Sequence, residues 1–213
     1  MPPIFFGIVG QIASGKGEVV KILTEQYGFV SFNLSSILHK ILEEKGITNF
    51  TRADLQDLGD KLRKEEGEGV LAKRAIKMLN YQCSIINQSN SNNQFSINNS
   101  TFVTNYEQDK RIVIEGIRNP AEVKYLRTLP NFKLIAVKAK KSVRFRRLKK
   151  RGKPWDPKSW KDFLVVDRRD KGIGQKGYGQ QVGKCVGMAD YNIQNNGSIK
   201  LLNCQIVKLL KKD

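Results

Sequence analysis

The sequence predicts an α/β fold built around a parallel β-sheet with helices on both faces. Three runs with apolar centres, at residues 4–9, 111–115 and 133–137, alternate with segments that have helical features. Strands that are apolar on consecutive residues are typical of sheets buried on both faces. We therefore expect one domain over residues 1–213, with ligands bound at the carboxyl ends of its strands.

A glycine-rich loop follows the first apolar run. Residues 10–17 read G-Q-I-A-S-G-K-G, which matches the phosphate-binding pattern G-x-x-x-x-G-K between a strand and a helix. Gly10 and Gly15 let the backbone curl, so that successive N–H groups point at an anion. The helix behind the loop adds partial positive charge, and Lys16 places an ammonium against the outer phosphates. The pattern predicts a nucleotide site.

The residue after this lysine departs from the usual pattern. Gly17 stands where a Ser or Thr hydroxyl normally ligates Mg²⁺, and Glu18 follows it. Either the metal is held through water and phosphates, or Glu18 has a role that the sequence leaves open. Because Mg²⁺ retains several waters in protein sites, the missing hydroxyl is compatible with catalysis.

The composition is strongly basic, with 38 Lys and Arg against 20 Asp and Glu and a net charge of +18. This charge indicates a phosphate-rich partner, either nucleotides or nucleic acid, although an AT-rich genome would give the same excess of lysine. Three widely spaced cysteines, Cys83, Cys185 and Cys204, suggest a reducing compartment, and we expect a cytoplasmic protein. We expect no signal peptide and no membrane span, since no apolar stretch is long enough.

The chain between the first and second apolar runs contains two regions of different composition. Residues 33–79 show several helical patterns, with Asn33 or Ser35 as the first N-cap and a capping box at residues 51–54. Residues 80–110 are rich in Asn, Ser and Gln and carry little charge. This composition predicts an exposed insert with at most a hairpin.

The C-terminal half alternates basic helices with short connections. Residues 119–120 (Asn-Pro) predict the start of one helix, residues 143–150 a very basic helix, and residues 156–157 (Asp-Pro) the start of another. A glycine-rich stretch at residues 172–179 is expected to be mobile. The remaining predicted elements are a strand at residues 189–193 and a final amphipathic helix capped by Ser198.

The residues needed for phosphoryl transfer between two anionic substrates are present. The glycine loop with Lys16 would hold the donor, Glu115 would position Mg²⁺ through water, and Arg118 is placed to bind an acceptor phosphate. Basic clusters at residues 144–151 and 168–169 predict a lid that closes arginines over the transferring group. Arginine suits this task because its planar fork binds phosphate oxygens in pairs.

Four stretches carry a resemblance to a known group of enzymes. They are residues 10–17, residues 112–123 (I-V-I-E-G-I-R-N-P-A-E-V), residues 144–152 (R-F-R-R-L-K-K-R-G) and residues 189–198 (A-D-Y-N-I-Q-N-N-G-S). Through them the chain resembles the nucleoside monophosphate kinases in the broad sense. It is most similar to the sub-branch near dephospho-CoA kinase and to small archaeal and bacterial P-loop kinases. The resemblance covers nearly all of the chain except residues 80–110.

The resemblance implies a three-layer P-loop NTPase fold with a five-stranded parallel sheet in the order 2-3-1-4-5 and a helical lid. Residues 33–79 correspond to the acceptor-binding helical segment and residues 144–180 to the lid region. The implied ligands are ATP, Mg²⁺ and a small-molecule phosphate acceptor. At the nucleotide we expect Gly10, Ala13, Ser14, Gly15, Lys16, Gly17, Glu18, Asn195 and Gly197.

The resemblance also implies roles for charged residues. We expect Lys16, Arg118, Arg147 and Arg151 to be catalytic, with Glu115 at the metal through water. Two departures concern the acceptor: Glu115 replaces the usual Asp, and His39 stands where adenylate kinases have an acceptor-binding Arg. The acceptor-binding residues expected here are Ser35, Arg63 and Arg118, although Arg63 and Arg52 have the alternative interpretation of solvated helix charges.

Three functions are consistent with these patterns. The first is a Mg-ATP-dependent kinase whose acceptor is a nucleoside or deoxynucleoside monophosphate. The second keeps the chemistry and takes dephospho-CoA as acceptor, although the distinctive middle section of true dephospho-CoA kinases has no match. The third is a nucleotide-dependent protein that binds nucleic acid through its basic surface. Arg118 and the arginine run favour a kinase, because a nucleotide switch needs no acceptor-binding arginine.

Overall fold

A computed structural model of the chain describes residues 3–89 and 111–211. Within these ranges five parallel strands form one sheet, and this result confirms the α/β class. The strands are β1 (Ile4–Val9), β2 (Val30–Asn33), β3 (Arg111–Glu115), β4 (Phe132–Lys138) and β5 (Tyr191–Gln194). Their order across the sheet is β2-β3-β1-β4-β5, which is the order implied by the resemblance.

Helices cover both faces of the sheet. One apolar cluster packs between the sheet and α2, α3, α4, α5 and α8, and a second packs between the sheet, α1 and α9. The helices are α1 (Lys16–Tyr27), α2 (Ser35–Glu44), α3 (Arg52–Glu66), α4 (Val70–Ser89), α5 (Pro120–Leu126), α6 (Lys141–Arg151), α7 (Trp160–Lys171), α8 (Val182–Gly187) and α9 (Ile199–Leu210).

The centre of the sheet explains where the site lies. Strand β1 pairs with β3 on one side and with β4 on the other. A Cβ atom on Gly7 would lie 2.6 Å from the Phe132 ring and 2.9 Å from the Leu134 side chain, so glycine lets these side chains pack across β1. Because β1 and β3 are parallel neighbours, the glycine loop and the turn after Glu115 leave the same edge of the sheet.

A small third cluster joins α6 and α7 to the glycine loop. It consists of Ile12 from the loop, Leu148 from α6 and Phe163 from α7, all of which are buried. Both helices therefore pack directly on the loop, rather than standing away from it as a detached lid.

Several predicted boundaries are wrong. Helix α7 begins at Trp160 and not at residues 156–157, because Ser159 caps it by accepting from the Asp162 N–H. Helix α4 continues to Ser89, ten residues into the segment that we expected to be irregular. The short helix α8 was not predicted, since its sequence has too few apolar residues to show a period. The hairpin suggested around residues 98–99 lies outside the described residues.

Other start signals were read correctly. Thr51 and Asn119 each form a capping box with the third residue of the following helix, and Ser198 Oγ accepts from the Leu201 N–H. No helix in the described part of the chain combines the length and the apolar character that a membrane span requires.

Candidate nucleotide and acceptor site

The glycine loop adopts a strained turn between β1 and α1. Ala13 has φ 57° and Gly15 has φ 96°, both in the left-handed region. At Gly15 the backbone also passes close to Asn195, since a Cβ atom would lie 2.0 Å from its Nδ2 atom. The left-handed φ angle therefore favours glycine at position 15, as the pattern predicted.

The Lys16 ammonium lies across the loop. It donates to the carbonyl oxygens of Gly10 and Gln11, the latter at 3.1 Å. This places its charge over the centre of the turn, where a phosphate would lie.

An orphaned hydroxyl lies within the same loop. Ser14 is 1% exposed, and its Oγ atom has no hydrogen-bond partner. A buried hydroxyl without a partner costs free energy unless a ligand or water satisfies it. This atom, the close backbone approach at Gly15 and the Lys16 ammonium together fit an anionic phosphate ligand.

Helix α6 contributes one arginine directly to the loop. Arg147 donates to the Ser14 carbonyl oxygen at 3.0 Å and to the Asn195 carbonyl oxygen at 2.9 Å. Asn195 in turn donates from Nδ2 to the same Ser14 oxygen at 3.0 Å. Burial, with a smaller effect from Arg146, lowers the pKa of the Arg147 guanidinium. Arg147 thus connects α6, the loop after β5 and the glycine loop.

A large open cavity of about 500 Å³ lies over the loop. Most residues that we predicted at the nucleotide line it, whereas Gly10 and Ser14 lie in the loop behind them. Arg151 reaches the cavity while donating from Nε to Asp156 at 2.8 Å. The lining is Ala13, Gly15, Lys16, Gly17, Glu18, Glu115, Arg147, Arg151, Asn195, Gly197, Ile199 and Leu202.

Two apolar residues that line this cavity were missed. Ile199 and Leu202 belong to α9, and the Ile199 side chain is 62% exposed. A signal was present, because Ile199 directly follows Ser198, close to the predicted nucleotide residues Asn195 and Gly197. An exposed aliphatic side chain on a polar cavity suits a flat apolar ligand group such as a base.

Glu115 ends β3 beside Asn33 of β2. The two residues are register partners, and Asn33 Nδ2 donates to Glu115 Oε1 at 3.4 Å. Burial raises the pKa of the Glu115 carboxyl, and the positive charges of Lys16 and Arg118 partly oppose this shift. Glu115 and Lys16 line the same cavity.

The metal-binding capacity of the site is small. Gly17 has open space around it and no ligating atom, and Glu115 and Glu18 are the acids that line the cavity. The described residues contain no group of three His, Cys, Asp or Glu side chains that could hold a metal. This arrangement fits Mg²⁺ that takes most of its ligands from phosphates and water.

A second, smaller cavity of about 100 Å³ lies beyond the turn after Glu115. All three residues that we predicted at the acceptor, Ser35, Arg63 and Arg118, line it. The full lining is Ser35, Leu38, Leu55, Gln56, Gly59, Arg63, Leu71, Gly116, Arg118 and Gln180.

Arg63 is not a solvated helix charge. It is 3% exposed, donates from Nε to Glu122 Oε1 at 2.9 Å and pairs with Asp60 at 3.2 Å. Glu122 is fully buried and also accepts from the backbone N–H groups of Arg118 and Asn119. This carboxylate, which sequence reasoning missed, fixes the turn that carries Arg118.

Arg118 is the more accessible of the two arginines, with 30% of its side chain exposed. Its Nη1 atom lies 3.4 Å from Asp170 Oδ1 and 3.4 Å from Gln180 Oε1. The other Asp170 oxygen accepts from the Ile12 N–H at 2.8 Å. Asp170, which we did not predict, thus connects the glycine loop with the acceptor cavity.

The arginines of the predicted lid region differ in their surroundings. Arg144 is 1% exposed, pairs with Asp167 at 2.6 Å and donates to the Ile12 carbonyl oxygen at 3.3 Å. Arg144 therefore connects α6 to α7 and to the glycine loop, and it lines neither cavity. Of the arginines in α6, Arg147 and Arg151 line the nucleotide-side cavity. His39 packs against Phe50 and lines neither cavity.

Comparison with known proteins identifies the group to which these features belong. A family described as "AAA domain" matches residues 7–163, which is more than half of the chain. A UPF0200 protein of Pyrococcus horikoshii is 30% identical over 208 residues, which are 96% of this chain and 95% of the relative. The chain belongs to the AAA domain family and to the UPF0200 proteins. A UPF0200 protein of Methanothermobacter thermautotrophicus is 27% identical and covers 100% of the chain and 92% of the relative.

Solved structures agree on the fold. Protein TT1252 from Thermus thermophilus superposes with a TM-score of 0.51 at 18% identity, over 100% of this chain and 98% of that one. A shikimate kinase from Bacteroides thetaiotaomicron gives a TM-score of 0.51 at 13% identity, over 98% and 97% of the two chains. These superpositions confirm the fold that we expected, and the family match over residues 7–163 supports our assignment to the P-loop superfamily.

Proposed function

We propose that this protein is a phosphotransferase that moves the γ-phosphoryl group of ATP to a small anionic acceptor. One observation carries the proposal. The two cavities meet at a single turn, where Glu115 lines the larger cavity and Gly116 and Arg118 line the smaller one. A protein that only bound or hydrolysed a nucleotide would need no second cavity with an arginine at this point.

The donor side is formed mainly by the glycine loop. Its N–H groups and the start of α1 would hold the phosphates, and Ser14 Oγ would gain the partner that it lacks. Lys16 would move from the Gly10 and Gln11 carbonyl oxygens to the outer phosphate oxygens. Its ammonium would then compensate charge on the transferring group.

Glu115 would orient the metal that accompanies the nucleotide. When bound, Mg²⁺ neutralises phosphate charge and aligns the donor for in-line transfer. The Glu115 carboxylate would accept hydrogen bonds from waters around that ion, since a direct hydroxyl ligand is missing at Gly17. Asn33 holds the carboxylate in place from β2.

Arg118 would bind the anionic group of the acceptor. Its guanidinium is held by Asp170 and Gln180 without being fully buried, so donor atoms remain accessible to the cavity. Ser35 and Gln56 would hydrogen-bond polar groups of the acceptor. Arg63 would act at a distance by holding Glu122, which fixes the turn.

We assign nucleoside or deoxynucleoside monophosphates as the acceptor class, because an arginine beside a polar, partly apolar cavity suits a phosphate with an attached sugar. A second candidate is a small hydroxy acid. The cavity volume of about 100 Å³ favours it, since a carboxylate with a compact ring or chain fills less space than a nucleotide.

The test is ADP production from Mg-ATP with a panel of ribo- and deoxynucleoside monophosphates, dephospho-CoA and small hydroxy acids. We expect one class to raise turnover well above background. Arg118→Ala should lower kcat/KM for that acceptor by about 100-fold, whereas Arg127→Ala, at an exposed arginine that lines neither cavity, should leave it unchanged. If ATP binds and no acceptor raises turnover, the kinase proposal is wrong.

A further inference from the structure

A basic surface with exposed aromatic rings lies at the corner between α6 and α7. We call it the basic–aromatic surface and define it by six exposed residues, Lys149, Lys150, Lys153, Trp155, Trp160 and Lys161. From residue 146 to residue 161 the only acid is Asp156, which is buried and paired with Arg151. The surface therefore carries more cations than acids.

The cations and the rings alternate. The Lys153 ammonium lies 5.3 Å from the centroid of the Trp155 ring, and the Lys149 ammonium lies 5.8 Å from that of Phe145. The Phe145 ring in turn contacts Trp160 edge-on, with the centroids 5.4 Å apart. Trp155 thus has a lysine directly against its ring, and Trp160 contacts a ring that has one.

The fold does not require these tryptophans to be exposed. Phe163 fills the core between α6 and α7 and is fully buried, whereas Trp155 is 59% exposed and Trp160 is 43% exposed. Large exposed aromatic side chains usually mark a surface that binds something. None of the six residues lines either cavity, so phosphoryl transfer leaves this surface unexplained.

We propose that the basic–aromatic surface binds single-stranded nucleic acid. Bases would stack on the exposed faces of Trp155 and Trp160, and the lysines between them would contact the phosphates. A duplex hides the faces of its bases, so it could use only the lysines. An anionic membrane would favour a continuous apolar face with the cations at its border, and here lysines separate the rings. The net charge of +18 would attract any polyanion, and stacking would select the single strand.

The chain offers a direct probe of this binding. Its two tryptophans both belong to the basic–aromatic surface, so selectively excited tryptophan fluorescence reports on this surface. Titration with a 20-mer of uridylate should quench this fluorescence, and a 20-mer of thymidylate will show whether the sugar matters. Heparin, which has charge and no bases, should compete for the lysines without producing the same quenching.

Paired variants separate local binding from general charge. Lys149→Glu with Lys153→Glu should weaken binding at least tenfold and reduce the slope of log K against log salt by about 1.4, since each phosphate contact on a single strand contributes roughly 0.7. Lys73→Glu with Lys77→Glu makes the same charge change on exposed residues of α4 and should weaken binding far less. Trp155→Ala should weaken it roughly tenfold, and Trp155→Phe should restore most of the loss.

Four results would overturn the proposal. The first is that neither 20-mer binds at low salt, and the second is that both lysine-pair variants lose the same amount of affinity. The third is that Trp155→Ala binds the 20-mers as tightly as the unchanged protein does. The fourth is that the protein binds phosphatidylserine vesicles more tightly than the 20-mers, in a way that depends on Trp155. ADP production and nucleotide affinity, measured on the Trp155 variants, should stay unchanged because Trp155 lies outside both cavities. The fate of the kinase proposal is therefore independent of this one.

Discussion

The two cavities that meet at the turn after Glu115 are built by different means. The nucleotide-side cavity is open, and the glycine loop lines it with Ala13, Gly15, Lys16 and Gly17. The acceptor-side cavity is smaller, and its charged residues already have protein partners: Arg63 with Glu122, and Arg118 with Asp170 and Gln180.

This difference has a physical consequence. A site made of backbone groups tolerates sequence change around it and binds any ligand with the same phosphates. A site made of pre-paired side chains fixes one geometry and selects a shape, but it loses both stability and binding when one partner is removed. The first cavity should therefore be separable from folding, and the second should not.

The largest effect should come from breaking the buried pair at the acceptor-side cavity. Arg63→Met leaves Glu122 without its charged partner at a fully buried position, and we expect the free energy of unfolding to fall by about 3–5 kcal/mol. Arg74→Met, which removes an exposed pair with Glu66, should cost less than about 1 kcal/mol. Urea denaturation measures both, and equal losses would contradict the distinction between the two cavities.

The next effect should separate nucleotide binding from folding. Lys16→Ala should weaken ATP binding about 100-fold, because it removes a charge-assisted contact to the phosphates, and should change stability little. Titration calorimetry measures the affinity. The control is Lys21→Ala, an exposed lysine of α1 that lines neither cavity. A folded Lys16→Ala variant with unchanged ATP affinity would refute the donor assignment.

Protonation of Glu115 should make both ATP affinity and protein stability depend on pH. Burial raises the pKa of this carboxyl above its ordinary 4.5, so it takes up a proton at a higher pH than a free Glu does. Mg²⁺-dependent ATP affinity should then fall, as the pH drops, at a pH above 4.5. Because the raised pKa belongs to the folded state, the contribution of Glu115 to stability should decline as the pH rises through the same range.

Glu115→Gln tests both parts of this prediction. In this variant, the Mg²⁺-dependent affinity for ATP should no longer fall at low pH. Its melting temperature should also lack the part of the decline with rising pH that the Glu115 carboxyl causes. If the fall in affinity persists unchanged in Glu115→Gln, another group is responsible for it.

The smallest effect should come from restoring the missing hydroxyl. Gly17 has open space around it, so Gly17→Ser should fold without strain. The new hydroxyl would stand where the usual pattern places a direct Mg²⁺ ligand, and ATP affinity should rise a few-fold in the presence of Mg²⁺ only. Gly17→Ala is the matched control. A gain that occurs without Mg²⁺ would show that the hydroxyl acts on phosphate instead.

Some parts of the two cavities could be predicted from the sequence, and others could not. The glycine loop and the positions of Glu115 and Arg118 at the end of a strand follow from local patterns, because phosphate loops and parallel strands have characteristic spacing. The order of the strands came only from the resemblance to a known family. Asp170 and Glu122 were missed, since their role depends on which helices pack against the loop and the turn. Arg144 and Arg147 belong to the same basic run of the sequence. In the structure Arg144 is buried in an ion pair with Asp167, whereas Arg147 lines a cavity.

The central claim is that the two cavities exchange a phosphoryl group across the Glu115–Arg118 turn. The most direct measurement uses ATP labelled with ¹⁸O on its γ-phosphoryl group, the acceptor panel and mass spectrometry of the products. We predict that the label appears in one phosphorylated small anion, and that Arg118→Ala removes this product while ATP binding persists. If the label appears only in inorganic phosphate with every acceptor, the second cavity is not an acceptor site and the account is wrong.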